Sequence, residues 1–176
     1  MPHRAFEEVV LPHLDAAFNY ARWLTKSDAD AEDVVQDATV RALRFFSSLR
    51  NDDARAWLLT IVRNTWYARF SKPDRAAQHT VVDDMTDERP DEQLDPEALV
   101  MQRQTVERVQ RALGELPVDF REVIVLRELE GLSYKEIAAV IGTPIGTVMS
   151  RLARGRERLL AVLNLEPTTG GARELS

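Results

Sequence analysis

The punctuation between Leu132 and Leu160 constrains the fold more than any other part of the chain. Ser133-Tyr134-Lys135-Glu136 has the form of a capping box, with serine at the N-cap and glutamate three residues on. It opens a short helix whose inner face is Ile137, Ala138 and Ile141. Gly142 can adopt a left-handed conformation and so end that helix. Thr143 then reads as the cap of a longer helix with Pro144 at its first position, where a missing N–H costs nothing. Val148, Leu152 and Leu159 form the buried stripe of that second helix. A small Ala138 where the helices cross, a turn glycine four residues later and an apolar anchor six later again are the spacings of a helix-turn-helix.

The face of the second helix opposite its stripe carries Thr147, Ser150, Arg151, Arg154 and Arg158. Hydroxyls and guanidinium groups on one side of a helix suit base edges and phosphates in a major groove. A solvated helical hairpin also carries surface arginines. The capping box, turn glycine, proline start and one-sided arginines together favour DNA binding over that plainer reading.

The net charge of −6 looks wrong for a nucleic-acid binder until it is divided along the chain. Residues 1–70 carry 9 Lys/Arg against 10 Asp/Glu, residues 71–97 carry 3 against 9, and residues 98–176 carry 11 against 10. The middle therefore holds the acid excess. Between Pro144 and Leu160, Arg151, Arg154, Arg156 and Arg158 face one acid, Glu157, so a cationic strip coincides with the second helix of the motif.

The same middle stretch, residues 72–97, contains three prolines, many acids and few apolar residues, so it reads as a flexible acidic linker. Helical patterns without strand alternation lie on both sides. The expected fold is all-α: a helical domain over 1–71, the linker, a second helical domain over 98–165 ending in the helix-turn-helix, and a disordered tail over 166–176.

In the first domain Val10, Leu14, Phe18, Ala21 and Leu24 predict one long helix despite Pro12. Asp30 is expected to cap a second, with Val34, Ala38, Ala42, Phe45 and Leu49 as its stripe. A third runs from about Asp53 to Phe70, with Trp57, Leu58, Ile61 and Val62 inward. In the second domain Val106, Val109, Leu113 and Leu116 mark a helix stopping at Pro117. Phe120, Val123 and Ile124 mark the next, ending near Gly131.

The stretch from Leu116, LPVDFREVIVLRELEGLSYKEIAAVIGTPIGTVMSRLARGRERL, resembles the promoter-recognition domain of extracytoplasmic-function sigma factors, which reads the minus-thirty-five element. DAEDVVQDATVRAL from Asp30 resembles the family's segment that docks on the clamp helices of the polymerase largest subunit. RAWLLTIVRNTWYARF from Arg55 resembles the segment that opens and reads the minus-ten element. The resemblance covers nearly the whole chain.

It implies partners and roles. Asp33, Gln36, Asp37, Val40 and Arg44 would dock on core RNA polymerase, presenting a polar face with an apolar point at its middle. Thr60, Arg63, Asn64, Trp66 and Tyr67 would hold the minus-ten strand, with a cation, an amide and aromatics to grip backbone and stack on an unpaired base. The loop from Ser47 to Asp53 would help form a pocket for a flipped base. Thr147, Ser150, Arg151, Arg154 and Arg158 would read the upstream element, with the second domain at the upstream-side flap of the polymerase. An anti-sigma factor is the implied regulator. The linker would thread polymerase channels built for nucleic acid, unless it is only a solubilising tether. Met149 stands where the family usually has Lys or Arg, and Ala68 where it often has Asp or Asn; both departures blur promoter sequence.

Two other readings compete. A sigma-like decoy would bind an anti-sigma factor without engaging DNA, and a stand-alone helix-turn-helix regulator would need neither docking face nor melting helix. No enzyme, cofactor or metal site is expected: the chain has no Cys, and His3, His13 and His79 lack metal-ligand spacing. With no signal-peptide run and no apolar span, a cytoplasmic protein without membrane insertion is expected.

Overall fold

A computed structural model describes residues 2–50, 53–70 and 95–165, with side chains from Ala5 onward. All regular structure among the described residues is helical. The stretch read as linker, up to residue 94, and the tail from 166 lie outside them.

Pro12 decides the first departure from expectation. It lacks an N–H and crowds the preceding turn, so the single helix expected from Val10 to Leu24 becomes α1 (Pro2–Val9), a 3-10 turn (Leu11–His13) and α2 (Leu14–Thr25). Phe6 and Val10 are still buried, so the break redirects the chain without freeing it from the core. α2 ends at Lys26, whose φ of 56° is left-handed. The next helix, α3 (Asp28–Arg44), is capped by Ser27, not Asp30: the Ser27 hydroxyl accepts from the Asp30 N–H at 3.3 Å. Serine and aspartate are near-equal caps, and the turn after Lys26 places Ser27 first. Phe45 and Leu49, expected to continue the α3 stripe, lie beyond its end. A 3-10 turn, Phe46–Ser48, follows. α4 (Ala54–Phe70) begins where Asp53 accepts from the Ala56 N–H at 3.1 Å. α2, α3 and α4 pack on one another around Tyr20, Leu24, Val34, Ala38, Leu58, Leu59 and Val62. Trp57 and Ile61 pack at the margin of that core, half-buried.

The second half begins with α5 (Pro96–Glu115), which starts within the span read as linker. Leu113 and Leu116 are buried as expected. Val106 and Val109 are not; they line an open groove of about 510 Å³ with Trp23 and Leu129. α6 (Val118–Ile124) widens into a π turn, Val125–Leu129, in which the Glu130 N–H donates to the Val125 carbonyl, and Gly131 at φ +67° ends it. α7 (Tyr134–Ile141) and α8 (Ile145–Leu165) form the helix-turn-helix.

α8 crosses α6 at Gly155. A Cβ there would lie 3.0 Å from Ile124 Cδ1 and 3.3 Å from Phe120 Cβ, so the helices cross closely enough that a methyl fits only with a small shift of the Ile124 side chain and anything larger does not. The two halves also pack together, α4 against α7 and α2 against α6, with one apolar cluster running through both.

Candidate nucleic-acid and polymerase interfaces

The helix-turn-helix has the predicted punctuation at its start. The Ser133 hydroxyl accepts from the Glu136 N–H at 3.1 Å, and the Glu136 carboxylate accepts from the Ser133 N–H at 2.7 Å. Gly142 turns at φ 67°, and its N–H donates to the Ala138 carbonyl. Thr143 does not cap α8, because its hydroxyl is buried without a partner. The Pro144 carbonyl instead takes up the N–H groups of Thr147 and Val148, at 3.0 and 3.2 Å.

Val148 and Leu152 are buried, which turns the opposite face of α8 outward. Ser150, Arg154 and Arg158 are exposed there, and Thr147 and Arg151 are half-buried. Arg158 rests on the Phe120 ring at 4.7 Å, a cation–π contact that steadies the side chain without using its N–H groups. Arg156, on the flank, donates to Glu128 at 2.7 Å and so ties α8 to the π turn that follows α6. Exposed guanidinium groups projecting from one side of a helix can form two-point hydrogen bonds to guanine or phosphate.

On α3, Asp33, Gln36, Asp37, Val40 and Arg44 are all exposed, with Val40 at 58%. Leu43 and Phe45 are exposed beside them, extending the apolar part of the face. Asp37 pairs with Arg69 of α4 at 3.2 Å. Exposed apolar side chains ringed by charge are what a protein-docking surface needs.

The α4 residues separate into two environments. Asn64 is exposed and Thr60 half-buried, its hydroxyl donating to the Ala56 carbonyl at 2.9 Å. Trp66 and Tyr67 meet edge to face at 4.6 Å. Arg63 is turned toward the other half of the molecule. Its Nε donates to Glu122 Oε2 at 2.9 Å and one terminal nitrogen to Glu122 Oε1 at 3.0 Å. The same nitrogen reaches the Tyr67 hydroxyl at 3.2 Å, and the guanidinium lies over the Tyr67 ring at 4.4 Å.

Tyr20 completes the group, its hydroxyl donating to Glu122 Oε2 at 3.0 Å. Burial, then the Glu122 carboxylate, pushes the Tyr20 phenol well above its ordinary range. Burial works against the Arg63 charge, but the hydrogen bonds and charge of Glu122, with Tyr20 and Tyr67, outweigh it and raise its pKa. Neighbouring Arg121 is pushed down to about 10 by burial; it donates to the Leu116 carbonyl at 3.0 Å, closing the end of α5.

Sequence reading missed Tyr20 and Glu122. The available signal was Glu122 directly before the apolar run from Val123 to Leu126, where a carboxylate drawn into the core requires a partner.

The Sigma-70 region 2 family matches residues 9–76, which hold the α3 and α4 faces, and Sigma-70, region 4 matches 106–159, which hold the helix-turn-helix. The ECF RNA polymerase sigma-E factor of Escherichia coli strain K12 is 39% identical over 137 residues, 74% of this chain and 72% of that protein. The chain belongs to the ECF RNA polymerase sigma factors. The ECF RNA polymerase sigma factor SigE of Mycolicibacterium smegmatis is 33% identical over 155 residues, 88% of this chain but 60% of that longer protein.

Among solved structures, this sigma factor is similar to RpoE in complex with the anti-sigma factor NepR from Bartonella quintana. That match has a TM-score of 0.71 and 30% identity over 93% of this chain and 99% of the other. CnrH in complex with the cytosolic domain of CnrY matches with a TM-score of 0.64 and 30% identity, over 94% and 91%. No described helix of this sigma factor is long and apolar enough to cross a membrane.

Proposed function

We propose that this sigma factor directs bacterial RNA polymerase to a set of promoters. Asp33, Gln36, Asp37, Val40 and Arg44 dock on the largest-subunit clamp helices. Thr147, Ser150, Arg151, Arg154 and Arg158 read the upstream element, with the helix-turn-helix half seated at the upstream-side flap. Thr60, Arg63, Asn64, Trp66 and Tyr67 hold the opened minus-ten strand. The observation that carries this reading is the coexistence, in a member of the family, of an exposed cationic α8 face with an exposed acidic and apolar α3 face.

The chemistry is binding and not catalysis. Strand opening draws on the energy of trapping unpaired bases on α4, so no bond is made or broken by the protein. Attachment at two points raises the effective concentration of each face at its target, so the complex with polymerase grips promoters that the free chain holds weakly. Regulation by an anti-sigma factor, in the cytoplasm, is part of the proposal; its support is the likeness across both halves to RpoE, solved with NepR.

Transcription in vitro from a library of promoter fragments, by bacterial core polymerase with and without the protein, tests it. Initiation at discrete sites that depends on the protein is the expected result. Core binding with no initiation anywhere in the library would refute promoter direction, and absence of core binding would leave the decoy reading.

A further inference from the structure

Two large apolar side chains near the start of α8 serve neither the core nor the polar face of that helix. Ile145 is 45% exposed and Met149 52%, and neither belongs to the apolar cluster of the fold or to the side chains packed against it. They stand four residues apart, with exposed Ala153 four further on, so the three form one row along the helix. Gly146, Ser150, Arg154 and Arg158, all exposed, form the neighbouring row. A single exposed apolar residue is ordinary. A row of them beside hydroxyl and guanidinium groups, at the end of the helix that meets base edges in this motif, has a specific use.

The apolar feature of the base edges in a major groove is the 5-methyl group of thymine. We infer that Ile145 and Met149 read thymine methyl groups in the upstream element, so that part of promoter choice is made by apolar contact. The inference deepens the reading of α8 as the upstream-element helix and rests on it.

Cytosine at the same place lacks the methyl and turns an N–H donor into the groove. Ile145 or Met149 would strip that donor of water without offering it an acceptor, so the row rejects cytosine as well as welcoming thymine. Four residues of helix rise about 6 Å, and base pairs are spaced about 3.4 Å apart, so the two side chains reach positions within about two base steps of each other. The branched Ile145 is stiff, whereas the unbranched thioether of Met149 conforms to an irregular surface. On this account Met149 sharpens the element at one base pair; it does not blur it. Charge makes the occupant DNA and not a protein: four arginines stand against one acid between Pro144 and Leu160, and Arg154 and Arg158 are exposed in the adjoining row.

Uracil in place of thymine removes the methyl and keeps every base-pairing group, so it tests the contact alone. The full chain with core polymerase is bound in competition to a promoter it selects, with each thymine of the upstream element, on either strand, replaced in turn by deoxyuridine. Replacement at one thymine, or at two within about two base steps, should weaken wild-type binding about fourfold per methyl. Ile145→Ala with Met149→Ala should bind the thymine and uracil promoters alike.

An upstream element without thymine, or wild-type binding unmoved by uracil at every position, overturns the inference, and that scan needs no variant. An equal loss on uracil in the double variant also overturns it, because the methyl is then read by other residues. Binding indifferent to every base substitution upstream overturns instead the assignment of α8 as the upstream-element helix.

Discussion

Tyr20 donates its phenol proton to Glu122 from a fully buried position, and that contact ties stability to pH. The unfolded phenol titrates near pH 10, whereas burial and Glu122 hold the folded one well above that value. Stability from this group is therefore full below about pH 10 and falls as pH rises through the folded pKa. Glu122, Arg63 and Tyr67 are the groups facing it, and Tyr67 is raised in the same direction, by burial and then Glu122. Denaturant midpoints measured across that range should fall for the wild type and fall less for Tyr20→Phe. Exposed residues behave otherwise. Arg154 is exposed, so Arg154→Ala should leave the fold and core binding intact and weaken upstream-element binding by about 1–3 kcal/mol, read by competition between promoters with intact and altered elements. Asp33→Arg with Asp37→Arg reverses charge on the α3 face and should abolish core binding in a pull-down while leaving thermal stability nearly unchanged; the Asp37–Arg69 pair is exposed and contributes little.

The helices were legible to the degree that their signals are local. The Ser133–Glu136 capping box and the Gly142 turn depend on residues within a few positions, and both form as read. Ser133→Ala should lower stability by about 1 kcal/mol in a denaturant titration, as loss of an N-cap does. Pro12 divides the first helix, although the apolar spacing runs unbroken across it. Ser27 and Asp30 offered equivalent caps, and the left-handed Lys26 before them decides which is used. Gly155 was not legible at all, because a glycine within a helix does not announce which helix crosses it. Gly155→Leu should destabilise by about 1–3 kcal/mol through overpacking against Ile124 and Phe120. Gly155→Ala should be nearly neutral, its helix-propensity gain offsetting the tight contact; thermal unfolding of the pair checks both.

For the whole molecule, composition and periodicity were enough to predict two helical halves on either side of an acidic stretch, but not their mutual packing. The polar part of the seam includes Tyr20, Arg63 and Glu122, residues up to 102 positions apart whose pairing has no local pattern. Val106 and Val109 mislead for a related reason: apolar spacing marks a face that seeks cover, and in this chain the face lines an open groove. The family likeness makes the α3, α4 and α8 surfaces candidates; among their residues, Arg63 of α4 is held by Glu122 of the other half, whereas the α3 residues and Ser150, Arg154 and Arg158 of α8 are exposed. The central claim is that the chain makes core polymerase open DNA at promoters it selects. Permanganate reactivity of thymines, on a promoter fragment with core polymerase and this sigma factor, measures that directly. The account predicts reactive thymines confined to the minus-ten region, dependent on the protein and lost with Arg154→Ala when the upstream element is required. Polymerase bound through the sigma factor to the same fragment with every thymine still unreactive would contradict it.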